Sequence, residues 1–328
     1  MDSETMRALH TGGPLGTENT DTIVVVRVFT DGSPSSAISI PRDTYVHDDQ
    51  FGNMKINGVY AAHKAAALES LSSDSGKEPN DIDNEAANAG RTALISAVNN
   101  LTGITADHYA EIGLTGFVQL TNAVGGVDVC LKNPTYDSFS GTNLPAGEHT
   151  LDGVQALHFV RQRHGLPGGD LDRIARQQAY LSSLSEKATD PSVIGNPAKM
   201  NSLIKAVEST VTLDKGWNIM SFASRVSKMK GDSIQFSTIP VVTANGVGDH
   251  GESIVEVDTD AVKEFVQDSS KGAAKNTGLG QKVTVRAQVA DDDSVDNSGD
   301  SEFPVPPTQT TSHSDSTTTP NSQAHCVN

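Results

Sequence analysis

Apolar residues along this chain fall into two alternating kinds of block. Short β-branched runs give way to longer stretches with a period near 3.6 residues. Thr22 to Thr30 predicts a buried strand, Asp31 to Pro34 a turn, and Ser35 to Ile40 a second strand, so the pair predicts a hairpin that ends at Pro41-Arg42-Asp43. Lys55 to Leu71 and Glu85 to Leu101 predict helices, His108 to Leu114 a strand, and Thr115 to Val124 a helix closed by Gly125-Gly126. Val127 to Leu131 predicts a strand, and Leu151 to Leu157 a short helical turn leading into an extended segment, His158 to His164. There Phe159, Arg161 and Arg163 would share one face. Gly168-Gly169 predicts a turn and Asp170 an N-cap. Leu171 to Thr189 has helical spacing, with Leu171, Ile174, Gln178, Leu181 and Ser185 on one stripe and Arg173, Arg176 and Gln177 beside it. Ala198 to Val211 and Trp217 to Met229 predict helices, Ser233 to Val241 a strand, and Thr259 to Gln267 a final helix. Strands alternating with helices predict an α/β fold, a single α-β-α domain around a central mixed β-sheet over residues 1–268.

Composition divides the chain at that boundary. Residues 269–328 are rich in Ser, Thr, Asp, Gly and Pro and lack apolar periodicity, which predicts an acidic low-complexity tail. The chain carries a formal net charge of -17. Most of that acidity belongs to residues 1–268, which argues against nucleic acid as a partner. No apolar run is long enough to cross a membrane, and no signal peptide is visible. Cys130 and Cys326 are the two cysteines. They read either as one buried and one exposed thiol or as a disulfide that pins the end of the tail to the domain.

Against this acidic background, Arg161, Arg163, Arg173 and Arg176 fall within sixteen residues. Guanidinium groups that close repel unless an anion lies between them, and their planar forks match phosphate oxygens. Isolated arginines usually pair with surface carboxylates, but four around a glycine turn and a helix start point to a phosphate or pyrophosphate site. Asp2, Asp21 and Asp43 supply hard oxygens of the kind a Mg²⁺–pyrophosphate site needs. Arg42, Lys55 and Asn57 are further candidate donors. The histidines lack zinc-site spacing, and Walker A, GxGxxG and GxSxG patterns are all absent.

These residues, in order, resemble the LytR-CpsA-Psr family of cell-wall glycopolymer ligases. The matching text is Asp21-Thr22, Ser39-Ile40-Pro41-Arg42-Asp43, Lys55-Ile56-Asn57, Asp107-His108-Tyr109, Gly125-Gly126-Val127-Asp128-Val129, Leu144-Pro145-Ala146-Gly147, Leu151-Asp152-Gly153, Val160-Arg161-Gln162-Arg163, and Asp172-Arg173 through Arg176-Gln177-Gln178. The Cys130 strand and the ending Cys326-Val327-Asn328 are similar to the actinobacterial branch.

The resemblance implies an α-β-α fold with a deep apolar pocket for a polyprenyl chain. It implies a phosphotransferase that uses Mg²⁺, or Mn²⁺ in its place, and moves a glycopolymer from a polyprenyl-(pyro)phosphate carrier to a peptidoglycan hydroxyl. Its partners would be that lipid-linked glycopolymer, peptidoglycan and the membrane surface, at the extracytoplasmic face of the cell membrane. Carried over by position, Asp2 and Asp21 would hold the metal. Arg42, Arg161, Arg163 and Arg173 would hold the pyrophosphate with Gln177 beside them, and Asp21 would help deprotonate the acceptor. Arg176 joins the phosphate-binding set through the arginine cluster itself. Three features depart from the family: the chain begins inside the Asp-Ser-Arg motif, which predicts a missing membrane helix and first strand; Glu4 stands where the family has arginine; and Glu18-Asn19-Thr20-Asp21 replaces the usual arginine or glycine before Ser-Asp-Thr. Those departures keep a non-catalytic binder or regulator of such glycans as an alternative. A polyprenyl pyrophosphatase is another, since water and a sugar hydroxyl attack the same phosphorus.

Overall fold

The computed structural model describes residues 19–29, 35–72, 76–218, 221–222, 234–269 and 326–328. By contacts the chain forms two units, one of residues 1–274 with 324–328 and one of residues 275–323. The second unit, Asp2, Glu4, the Asp31–Pro34 turn and most of the helix expected over Trp217–Met229 lie outside the described residues.

In chain order the elements are β1 (Ile23–Arg27), β2 (Ser35–Ile40), β3 (Tyr45–Asp48), β4 (Gly52–Lys55), α1 (Ile56–Leu71), α2 (Pro79–Thr102), β5 (Ala110–Ile112) and α3 (Leu114–Ala123). They continue with β6 (Val127–Leu131), β7 (Thr135–Asp137), β8 (Thr142–Leu144), β9 (Gly147–Leu151), α4 (Gly153–Arg161), α5 (Asp170–Thr189), α6 (Pro191–Ile194) and α7 (Pro197–Thr210). The last are β10 (Val211–Leu213), β11 (Ile234–Thr238), β12 (Thr243–Val247), β13 (Ser253–Glu256) and α8 (Thr259–Asp268). The strands β3, β4, β7 to β10, β12 and β13 are not among the elements the pattern predicts; most are only three or four residues long, too short to set a period.

The central sheet is mixed. β1 and β2 pair antiparallel, and β11 joins β2 in parallel. Every residue of β2 is buried, so its alternation separates two covered faces. Ile38 and Ile40 pack with Ile56 and Tyr60 of α1, Leu94 and Leu101 of α2, and Val262 and Val266 of α8. Ser39 faces the other way and accepts a hydrogen bond from Gln178 Nε2 of α5 at 3.1 Å, and the same amide reaches Ser237 O and Thr238 Oγ1 of β11. This is the expected α-β-α layering, with the arginine-bearing helix pinned to the sheet by polar contacts.

A second core lies between the β6–β9 ribbon and helices α4 and α5, built from Val127, Val129, Leu131, Leu151, Phe159, Val160 and Tyr180. The end of the chain returns to it. Cys130 and Cys326 form a disulfide with Cα atoms 4.4 Å apart. Val327 then bridges Leu131 in parallel, donating to Cys130 O and accepting from Lys132 N, both at 2.9 Å. Of the two readings of the cysteines, the structure takes the disulfide. Among the described residues no helix is long and apolar enough to cross a membrane.

One local expectation is overturned. His158 to Arg161 is helix α4, not a strand. Asp152 starts it with a capping box: its Oδ1 accepts from Val154 N and Gln155 N at 2.9 Å, while Gln155 Oε1 accepts from Asp152 N at 3.1 Å. A capped helix of nine residues continues through Phe159, whose side chain is fully buried in the second core.

Candidate active site

Four chain segments converge on one spot. The loop after β2 carries Arg42 and Asp43, and the first N–H groups of α1 fix that loop. Ile56 N donates to Thr44 O at 2.8 Å and Asn57 N to Arg42 O at 3.1 Å, so two amides left over at a helix start hold the arginine loop in place. Asn57 O in turn accepts from Thr20 N at 3.1 Å, which anchors the segment carrying Asp21. The third segment is the end of α4, with Arg161 as its last residue and Arg163 just beyond. The fourth is the first turn of α5. The N-cap there is Gly169, not Asp170, and its φ of 57° is a backbone that glycine adopts without strain. Asp170 is the first helical residue, and Arg173 lies one turn later.

Arg42 Nη1 donates to Asp21 Oδ1 at 2.7 Å, and its Nε lies 3.4 Å from Asp43 Oδ2 and 3.7 Å from Asp170 Oδ1. Arg163 Nη2 reaches the same Asp21 oxygen at 3.3 Å. Arg173 pairs with Asp170, and Lys55 Nζ pairs with Asp43 Oδ1 at 3.2 Å. Burial pulls the Arg173 guanidinium down to about 10, with Arg42 and Arg163 adding to the shift while Asp170 and Asp21 oppose it. Burial also lowers Arg161, with Asp21 opposing the shift and Arg163 adding to it. Asp21 and Arg163 therefore act electrostatically on both Arg161 and Arg173.

Three buried atoms of this cluster, Arg42 Nε, Arg173 Nε and Asp170 Oδ2, have no hydrogen-bond partner. Each such atom costs about 1–3 kcal/mol, so three together mark a place shaped for something polar. The two Nε–H groups suit anionic oxygens. Asp170 Oδ2, with the exposed Asp21 carboxylate, suits a hard cation. Among the described residues no group of three or more His, Cys, Asp or Glu side chains could hold a metal ion. One or two carboxylates completed by substrate phosphates and water is nonetheless a normal Mg²⁺ arrangement.

The structure does not bring Arg176 to this cluster. Its guanidinium is fully buried. Nη1 donates to Gln162 Oε1 at 2.7 Å, Nη2 to Thr135 Oγ1 at 3.2 Å, and Nε to Asn328 O. Its Cζ also lies 4.9 Å from the Phe159 ring centre. Helical spacing placed Arg173 and Arg176 as neighbours, but Gln162 at the end of α4, Thr135 of β7 and Asn328 take up the Arg176 guanidinium. The assignment of Arg176 to phosphate is therefore corrected to a structural role. Gln177 is buried on the same helix and takes no part in the ion pairs described. Asp170 is the site residue that the pattern misjudged: its position just after Gly168-Gly169 fitted a cap, whereas helical i,i+3 spacing pairs it with Arg173 and packing brings it near Arg42.

The sequence profile of the LytR_cpsA_psr family matches residues 7–271. The chain belongs to the LytR-CpsA-Psr family. It is 49% identical over 283 residues to the cell wall biosynthesis protein LcpA of Corynebacterium glutamicum, covering 86% of this chain and 53% of that protein. It is 27% identical over 221 residues to the polyisoprenyl-teichoic acid–peptidoglycan teichoic acid transferase TagU of Enterococcus faecalis, covering 66% of this chain and 63% of that one. The chain thus spans little more than half the length of these LytR-CpsA-Psr relatives. In three dimensions it is similar to TagV of Bacillus subtilis, with a TM-score of 0.59 at 22% identity, covering 79% of this chain and 93% of that one. The LytR-Csp2A-Psr enzyme of Actinomyces oris gives a TM-score of 0.56 at 20% identity, over 76% and 85% of the two chains. These two likenesses establish the LytR-CpsA-Psr fold.

Proposed function

We propose that this domain is a phosphotransferase that moves a glycopolymer from a polyprenyl-(pyro)phosphate carrier to a hydroxyl of peptidoglycan. The observation that carries this reading is the convergence of Arg42, Arg161, Arg163 and Arg173 around Asp21 and Asp170, with three buried polar atoms left unpartnered. The relatives point the same way: TagU is named for transfer of a polyisoprenyl-linked teichoic acid to peptidoglycan, and LcpA for cell wall biosynthesis. An extracytoplasmic location agrees with the Cys130–Cys326 disulfide, which persists in oxidising surroundings.

The chemistry follows from the ion pairs. Arg42 and Arg163 both hold Asp21 Oδ1. Phosphate oxygens entering between the arginines would compete with that carboxylate and release it. Asp21 would then accept the proton of the acceptor hydroxyl while the guanidinium groups stabilise charge growing on the leaving phosphate. Mg²⁺ or Mn²⁺, when bound, would be held by Asp21 and Asp170, with Asp2 as a further candidate, and would neutralise phosphate charge. An apolar pocket for the polyprenyl tail belongs to the same proposal.

The test is Mg²⁺-dependent turnover of a polyprenyl-pyrophosphate-linked glycan. Arg161→Ala and Arg163→Ala should each abolish release of the polyprenyl phosphate. Unchanged turnover in both variants would overturn the assignment. Tight binding by the wild type without turnover at any Mg²⁺ concentration would identify a binder instead.

A further inference from the structure

The β7–β8 hairpin is not used by the reaction above, yet it presents a feature that folding alone does not favour. Phe139 at its tip is 73% exposed. A phenyl ring held in water gains nothing from burial, and an ordered one also loses its freedom. Here it is ordered. Phe139 N donates to Asp137 Oδ1 at 2.9 Å, Gly141 N donates to Asp137 O at 2.9 Å, and Ser140 Oγ meets Thr142 Oγ1 at 2.8 Å. Gly141 allows the tight return with φ of 83°.

The same carboxylate reaches the arginine segment. Asp137 is buried. Its carboxylate also accepts from the backbone N–H of Arg163 and lies 3.5 Å from His164 Nδ1. Burial alone would raise this carboxyl, but bonds from Phe139, Ser140 and the Arg163 backbone hold it below the usual range. Thr135, one turn of the pleat earlier, exchanges hydrogen bonds with Gln162 at 2.6–2.8 Å. The hairpin is therefore clamped to residues 162, 163 and 164, the segment that delivers Arg163 to Asp21. Phe139 and His164 finish the clamp with ring centres 4.5 Å apart and planes at 37°, while the His164 side chain stays 63% exposed.

We propose that Phe139 and His164 form a ledge on which the first sugar ring of the lipid-linked glycan stacks, next to the phosphates held by the arginines. The proposal rests on the function inferred above and names what that site recognises beyond phosphate. The face of a pyranose presents C–H groups that pack on an aromatic plane, and its hydroxyls suit an imidazole edge. A membrane contact fits less well. Tyr136, also exposed, alternates with buried Asp137 along β7, and what Phe139 meets on the ledge side is His164 and the buried Asp137 carboxylate, which also holds the Arg163 backbone.

The experiment compares binding of farnesyl pyrophosphate with that of the same compound carrying one glucosyl ring on its pyrophosphate. Wild type should bind the glucosylated probe about tenfold more tightly, the scale of one aromatic stacking contact. Phe139→Ala should bring the ratio to about one, and Phe139→Trp should keep it. Arg163→Ala should weaken both probes alike. A ratio in Phe139→Ala equal to that of wild type would remove the ledge while leaving the phosphate site standing. Failure of wild type to bind either probe would remove both readings. If Phe139→Ala instead lost binding to probe-free anionic vesicles with the ratio intact, the ring would be a membrane contact and the ledge would again be excluded.

Discussion

Replacing Arg176 by Met separates the two roles that arginines play in this domain. The guanidinium donates to Gln162, Thr135 and Asn328 and lies over Phe159. Hydrogen bonds from a charged group contribute about 1.5–3 kcal/mol each, and a desolvated cation–π contact about 2 kcal/mol. Against this stands the cost of burying the cation, which pulls its pKa down to about 10. Met fills most of the volume and carries no charge to desolvate, so the net loss should be about 2–4 kcal/mol. At about 2–4 °C per kcal/mol for a domain of this size, the melting temperature should fall by about 5–15 °C. The assay is a thermal melt paired with a calorimetric titration of inorganic pyrophosphate at a temperature where the variant is folded. Pyrophosphate affinity should change by less than about threefold. Arg173→Met should do the reverse, lowering affinity by more than about thirtyfold, because it removes a desolvated charge from the anion's own shell. An Arg176→Met protein that melts normally but no longer binds pyrophosphate would refute the division and return Arg176 to the site.

Three other outcomes follow from the geometry. Cys326→Ser removes the bond that closes a loop with a sequence separation of 196 and loosens the Val327 bridge to Leu131, so stability by urea unfolding should fall by about 2–5 kcal/mol; no change would mean that the last residues contribute nothing to the domain. Asp137 has its carboxyl held below the reference value of 3.8, so its contribution is fully present above that pH and is lost as pH falls through the lower folded value. Asp137→Asn should therefore be less stable than wild type at pH 7, with the gap closing as pH falls below 3.8 in acid unfolding curves; a gap constant with pH would contradict the assignment. A Cβ on Gly153 would meet Val118 O at 2.3 Å where α4 crosses α3, so Gly153→Ala should cost about 1–3 kcal/mol in chemical unfolding despite its favourable helix propensity; a stabilised variant would show that the helices can separate without cost.

The α-β-α layers were legible from hydrophobic spacing along the chain. The β1–β2 hairpin, the long helices and the strand at Val127 follow from hydrophobic period, because each buries one continuous face and must repeat to do so. The concentration of guanidinium groups in an acidic chain was equally legible, since like charges gathered locally need a counter-charge wherever the chain goes. Tertiary structure decided the rest. Arg173 and Arg176 are indistinguishable by helical spacing, yet Arg176 bonds to Gln162, Thr135 and Asn328 while Arg173 pairs with Asp170. The segment from His158 to Arg161 satisfies both a strand and a helix pattern over four residues, and the capping box at Asp152 selects the helix. Asp170, Asp21 and Arg42 lie far apart in sequence, and no local signal says that they meet. The side on which a side chain finds its partner depends on which neighbour arrives there, and that is a property of packing rather than of period.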